Sequence, residues 1–151
     1  MTTPVHVFDR LIEIALLIQD DLARSLPEAG LTVARTHLLW EVHRSGPTTQ
    51  QSLAAALKVS PRNVTGLVDA LETDGFVERR PHPGDRRATL VTLTDLGLQT
   101  MADMERDRLH TAARLVADLD APDLAQLGHA LDVVAARLHE LVGSPPESGI
   151  A

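Results

Sequence analysis

The sequence holds no cysteine, which removes disulfides, thiolate metal sites and cysteine-based redox sensing. Tyrosine is also absent, and one Trp and two Phe are the whole aromatic content. The core must therefore be built from Leu, Val and Ala, the composition of packed helices. No run approaches the roughly 18 uninterrupted apolar residues of a membrane span, and the N-terminus lacks the basic segment and apolar run of a signal peptide. The expectation is a cytoplasmic protein without a membrane partner. With 44% hydrophobic residues the chain can bury a core, and 151 residues favour one domain or one domain with a helical extension.

Positive charge is scarce as well. The net charge of −7 at first argues against a nucleic-acid partner, but its distribution matters more than its sum. Residues 1–57 carry 4 basic and 6 acidic side chains, residues 58–87 carry 6 and 5, and residues 88–151 carry 4 and 10. The acid thus sits mostly in the C-terminal part. The middle segment holds Lys58, Arg62 and the run Arg79, Arg80, Arg86 and Arg87, a local basic edge on an acidic body.

Periodicity predicts a first helix from about Val5 to Leu26, with Val5, Phe8, Ile12, Ala15, Leu22 and Leu26 on one face. Pro27-Glu28-Ala29-Gly30 breaks it. A second helix follows Thr32 as N-cap and stops at Ser45-Gly46-Pro47. Thr48 with Gln51 fits a capping box for a short third helix that breaks at Lys58-Val59-Ser60. Ser60 as N-cap and Pro61 at the first helical position start a fourth, whose inward stripe is Val64, Leu67, Val68 and Leu71. After Asp74-Gly75 the period becomes two. Residues 76–80 and 88–93 read as strands, with the seven residues 81–87 as a hairpin tip. Thr94 or Asp95 then caps a long helix running through Leu98, Met101, Leu109, Ala112, Val116 and Leu119. Asp120-Ala121-Pro122-Asp123 turns into a last helix with Leu124, Leu127, Leu131, Val134, Leu138 and Leu141 on one stripe.

Two short helices joined by a tight turn and followed by a hairpin are the order of a winged helix-turn-helix. The fold class expected is mainly α with a small two-stranded β wing, joined to a helical dimerisation region. Such a second helix fits the major groove of DNA, its first turn facing base edges and its free N–H groups facing phosphate. The residues placed there are Ser60, Pro61, Arg62, Asn63 and Thr65, with Arg62 suited to guanine and Asn63 to adenine, or either of them to a phosphate. Thr49, Gln50 and Lys58 are candidates for phosphate contacts that set position. Arg86 and Arg87 on the wing can enter a neighbouring minor groove, and Asp85 beside them orients one of them.

These motifs carry a resemblance. The segments Leu31-Thr32, Ser60-Pro61-Arg62-Asn63-Val64-Thr65-Gly66-Leu67-Val68-Asp69-Ala70-Leu71-Glu72, Gly75-Phe76-Val77-Glu78-Arg79-Arg80, and Gly84-Asp85-Arg86-Arg87 leading to Val91-Thr92-Leu93-Thr94 resemble the MarR family of multiple antibiotic resistance regulators. His82 and Gly84 stand where many members have acidic or polar residues. The resemblance implies a homodimer joined by its first and last helices, which bears on a pseudopalindromic double-stranded DNA operator. It also implies repression relieved by a small aromatic or phenolic effector. Residues 1–30 and 94–143 would form the dimerisation region, 31–93 the DNA-binding lobe, and 144–151 a flexible tail. Val5, Phe8, Leu124, Leu127, Leu131, Val134, Leu138 and Leu141 would line the dimer interface. Phe8, Ile12, Arg35, His37 and Trp40 are the candidates for an effector pocket, although Trp40 reads more readily as a core residue.

Other classes leave weaker traces. Seven His invite a metal-responsive regulator with His and carboxylate ligands, yet His129 with Asp132 and His110 with Asp107 lack a third nearby donor, so neither a metal nor another cofactor is expected. A winged helix that binds protein instead of DNA is a further alternative. No nucleophile–base set, phosphate-binding glycine loop or convergent carboxylate pair suggests an enzyme.

Overall fold

The computed structural model describes residues 1–26 and 30–143, with Arg86 described in its backbone alone, so the expected tail 144–151 lies outside the described residues. In chain order the elements are α1 (Pro4–Ser25), α2 (Val33–Ser45), β1 (Thr48–Thr49), α3 (Gln50–Leu57), α4 (Pro61–Thr73), β2 (Val77–His82), β3 (Asp85–Leu93), α5 (Asp95–Leu115) and α6 (Ala121–Gly143). The chain divides into two compact units at Met104 and Glu105, inside α5.

Short polar side chains set most of the helix boundaries. Thr3, Thr32 and Ser60 each accept a hydrogen bond from the backbone N–H three residues on, and Pro4 and Pro61 take the first helical positions. Gly46 ends α2 at φ +71°, a left-handed backbone that glycine adopts without the Cβ clash other residues meet. Gly75 plays the same part after α4 at φ +82°. The third helix is capped by Thr49, whose hydroxyl accepts from the Ser52 N–H, and not by the expected Thr48 with Gln51. Thr48 is instead drawn into a strand.

The sheet has three antiparallel strands in the order β1-β3-β2, where a two-stranded wing was expected. Thr48 pairs with Val91 and Thr49 with Leu90, so the residues before α3 stitch its start to the hairpin. The hairpin is also longer than its sequence suggests. Pairing runs from Val77↔Leu93 to His82↔Asp85, which leaves Pro83-Gly84 as the turn and places Arg86 and Arg87 on a strand, not in a seven-residue tip. The register shifts between Pro81 and His82, beside a proline that has no N–H to give the ladder.

The core of the first unit gathers Leu38, Leu39 and Val42 of α2, Leu53 and Ala54 of α3, and Val64, Val68 and Leu71 of α4. It closes on Phe76, Val77, Val91 and Met101, with Leu26 and Leu31 at its edge. The stripe expected on α4 is the buried one, Leu67 being only half-buried against the core. At the junction with α5, the Thr94 hydroxyl donates to the Gly75 carbonyl and accepts from the Gly97 N–H, which makes Thr94 the cap. Gly97 is buried there, and a Cβ on it would meet the Phe76 carbonyl oxygen at 2.1 Å. In the second unit α5 ends at Leu115, short of the expected Leu119, and Asp120 caps α6 by accepting from the Asp123 N–H.

Candidate nucleic-acid interface

The first turn of α4 presents an exposed polar surface in the first unit. Val64, Val68 and Leu71 on the inward side of the helix are fully buried, whereas Ser60, Pro61, Arg62 and Asn63 are all exposed. The Ser60 hydroxyl is spent on the Asn63 N–H, so its role is to start the helix. Among the described residues no hydrogen bond or ion pair engages the side chains of Arg62 and Asn63. Two unengaged polar side chains at a helix N-terminus, next to N–H groups that carry the positive end of the helix dipole, suit a polyanion.

Lys58 occupies the turn before α4 in the left-handed conformation, at φ 53° and ψ 41°. That backbone costs a non-glycine residue about 1 kcal/mol, yet a lysine holds the position with its side chain exposed. Thr49 and Gln50 are differently placed. Thr49 is the cap of α3 and also exchanges a hydroxyl hydrogen bond with Ser52. Gln50 donates its amide to the Thr65 hydroxyl, which in turn donates to the Pro61 carbonyl. The structure therefore joins Gln50 and Thr65, two expected DNA contacts, to each other.

Gln50 leads on to Arg79, one of the basic run. Its carbonyl accepts from both Nε and Nη2 of Arg79, at 3.2 and 2.9 Å. The same guanidinium reaches Asp69 at 2.5 Å and pairs with Glu72, whose other oxygen accepts from the Arg79 backbone N–H. Burial by itself would lower the Arg79 pKa, but the bonds from Asp69 and Glu72 outweigh it and hold the pKa above the usual arginine value. Strand alternation could have revealed this, because Arg79 lies two residues beyond buried Val77 and so shares its face. Arg80, on the other face, is exposed and pairs with Glu78.

In the wing, the Asp85 carboxylate accepts from the Arg87 backbone N–H at 2.9 Å and so helps to fix the start of β3. Arg87 is exposed with no side-chain partner among the described residues. His82 folds over the turn, its Nδ1 accepting from the Gly84 N–H at 3.0 Å.

The remaining candidates lie on the long helices and on α2. No residue of α1 or α6 is buried. Val5 and Phe8 of α1 and the six-residue stripe from Leu124 to Leu141 of α6 are between 38% and 67% exposed, leaving an uncovered apolar face on each helix. Of the pocket candidates, Arg35 forms an ion pair with Asp74 at 3.0 Å, tying α2 to the end of α4. Trp40 is half-buried against the core with its ring edge-on to His43, while His37, Phe8 and Ile12 are exposed. Among the described residues no three of His, Asp and Glu converge as a metal site requires.

Comparisons with known proteins bear on this geometry. Residues 31–89 match the MarR family. The chain is 26% identical over 121 residues to the HTH-type transcriptional repressor IacR of Pseudomonas putida, covering 80% of this chain and 72% of that one. Wild-type MarR from E. coli, solved in its apo form, is 27% identical with a TM-score of 0.67, over 89% of this chain and 98% of that chain. FabT of Streptococcus pneumoniae, solved in complex with DNA, gives a TM-score of 0.76 over 89% of this chain and 99% of that chain, a likeness of fold alone at 18% identity. The helix-turn-helix, the wing and these likenesses agree: residues 31–89 form a MarR-family domain, and most of the chain is similar to transcriptional regulators that carry a DNA-binding winged helix.

Proposed function

We propose that this regulator is a homodimeric repressor that reads a pseudopalindromic operator with Arg62 and Asn63 and grips the flanking minor groove with Arg86 and Arg87. The observation that carries the reading is the first turn of α4, whose Arg62 and Asn63 side chains are exposed and unengaged on a helix that buries Val64, Val68 and Leu71 on its opposite face. Lys58 in its costly left-handed turn and exposed Arg87 extend that surface with two more cations. Repression is the role named for IacR and for MdtR of Bacillus subtilis, a second relative at 27% identity. Dimerisation through α1 and α6 is supported by their uncovered apolar faces, and a two-fold dimer would match two half-sites one helical turn apart.

The experiment is enrichment of a random-sequence duplex library on the full-length protein, with sedimentation of the protein alone and on the enriched duplex. The expected outcome is a two-fold symmetric motif with half-sites about 10 base pairs apart, bound by two protomers. Recovery of no motif, at low salt as well as high, overturns the DNA reading and favours a winged helix that binds protein. The effector reading is tested on the same complex. Trp40, the sole tryptophan, reports on α2, so a phenolic acid that releases DNA should also change its fluorescence. Benzoate and its phenolic analogues at millimolar concentration are the probe, and release without any Trp40 response would move the pocket away from α2.

A further inference from the structure

We propose that Arg79 is a positioning residue for DNA recognition, bracing the recognition helix against the wing through Gln50 and Thr65, and that these last two serve the brace and not the DNA. Arg79 stands on β2 opposite Val91, on the strand face turned to the helices. Its guanidinium, only 26% exposed, is shared among three acceptors from two other elements, Gln50 of α3 and both Asp69 and Glu72 of α4. From Gln50 the bonds continue to the Thr65 hydroxyl at 2.9 Å and on to the Pro61 carbonyl at 3.1 Å. One connected path thus runs from the wing strand, through the start of α3, to the first turn of α4 where Arg62 and Asn63 project.

The chemistry of the brace is specific to arginine. A planar guanidinium fork can hold an amide oxygen and two carboxylates at fixed angles, whereas a lysine ammonium holds them only as a point charge. Asp69 and Glu72 would otherwise set two negative charges along the helix that must enter a polyanionic groove. Arg79 answers both of them and, in the same act, fixes the angle between α4 and the hairpin. Base reading is sensitive to such an angle, because a bidentate contact to a base edge tolerates little displacement.

This inference rests on the reading of α4 and the wing as the DNA surface, and the test separates the two. The affinity of the full-length protein for the duplex enriched by the wild type is measured across a salt series, for Arg79→Met, Gln50→Leu, their double variant and Arg87→Ala, with circular dichroism confirming the fold. The brace predicts that Arg79→Met and Gln50→Leu each weaken the enriched duplex about tenfold, that the double variant is no weaker than the worse single one, and that the slope of log affinity against log salt stays at the wild-type value. Arg87→Ala, by contrast, should lower that slope by about one. Should Arg79→Met fold poorly, Arg79→Lys keeps the charge and must still show most of the loss. Undiminished affinity, an additive double variant, or a slope reduced by one in Arg79→Met overturns the brace while leaving the DNA surface standing. Should Arg87→Ala and Arg62→Ala also bind normally, the DNA surface itself is refuted.

Discussion

Two glycines of this chain should respond to the same substitution in opposite directions. Gly97 lies in the first turn of α5, where an added Cβ would sit 2.1 Å from the Phe76 carbonyl oxygen and 3.2 Å from Leu93. A carbon–oxygen contact is ordinarily no closer than about 3.3 Å, so the helix start must retreat by roughly 1 Å. The obstacle is backbone and cannot rotate away. Retreat also strains the bonds that fasten this junction, from the Thr94 N–H to the Phe76 carbonyl, from the Thr94 hydroxyl to the Gly75 carbonyl and from the Gly97 N–H to Thr94. Overpacking costs about 1–3 kcal/mol and each weakened hydrogen bond about 1 kcal/mol, against a helix-propensity gain of about 1 kcal/mol for alanine. Gly97→Ala should therefore destabilise by about 2–4 kcal/mol, a fall in Tm of about 5–15 °C for a chain of this length. Gly66, in the middle of α4, has nothing within 4 Å of its added Cβ. Gly66→Ala should gain about 0.5–1 kcal/mol from propensity alone. Thermal and urea unfolding at one fixed protomer concentration measure both, since oligomerisation makes Tm concentration-dependent. A Gly97→Ala protein as stable as the wild type would refute the packing of α5 on the hairpin described above.

Lys58→Gly should stabilise the fold by about 1 kcal/mol, because glycine adopts the left-handed turn freely, while lowering the salt slope of DNA binding by about one; a destabilised variant would show that the turn is not strained. Leu131→Glu with Leu138→Glu places two charges on the α6 stripe and should convert the proposed dimer to a folded monomer in sedimentation, whereas an unchanged mass would remove α6 from the proposed interface. Glu41 accepts from Arg44 and Ser45, and those bonds hold its carboxyl below the usual carboxylate range. Its stabilising contribution is thus complete above the unfolded pKa of about 4.3 and is lost as pH falls through the lower folded value. Glu41→Gln should flatten the acid limb of the stability profile below about pH 4.3, and a limb as steep as the wild type's would contradict the assignment.

Features governed by short-range chemistry were legible in the sequence. Thr32, Ser60 and Asp120 act as caps, and Gly46 and Gly75 end helices, because each needs only a few neighbouring residues to do so. The inward stripe of α4 was equally plain from its spacing. What escaped depends on partners distant in the chain. Thr48 and Thr49 form a strand only because β3 offers a free edge, and that pairing moves the cap of α3 by one residue. Pro81-His82-Pro83-Gly84 reads as a loop from its prolines, yet pairing carries β2 as far as His82 and β3 starts at Asp85. Arg79 looked like one charge in a basic run, and its engagement with Gln50, Asp69 and Glu72 needs three elements assembled at once. The end of α5 had no glycine or proline to announce it. Tightened bonds from the Ala117 N–H to the Arg114 carbonyl and from the Leu119 N–H to the Val116 carbonyl close it instead.

At the centre stands the proposed reading of base sequence by the first turn of α4. It is tested most directly by measuring the affinities of the wild type, Arg62→Ala and Asn63→Ala for the enriched operator and for duplexes altered one base pair at a time. The predicted result is that each variant loses discrimination worth about 1–3 kcal/mol at one base pair per half-site and keeps it elsewhere. A loss spread evenly over all positions, or no loss at all, would contradict it.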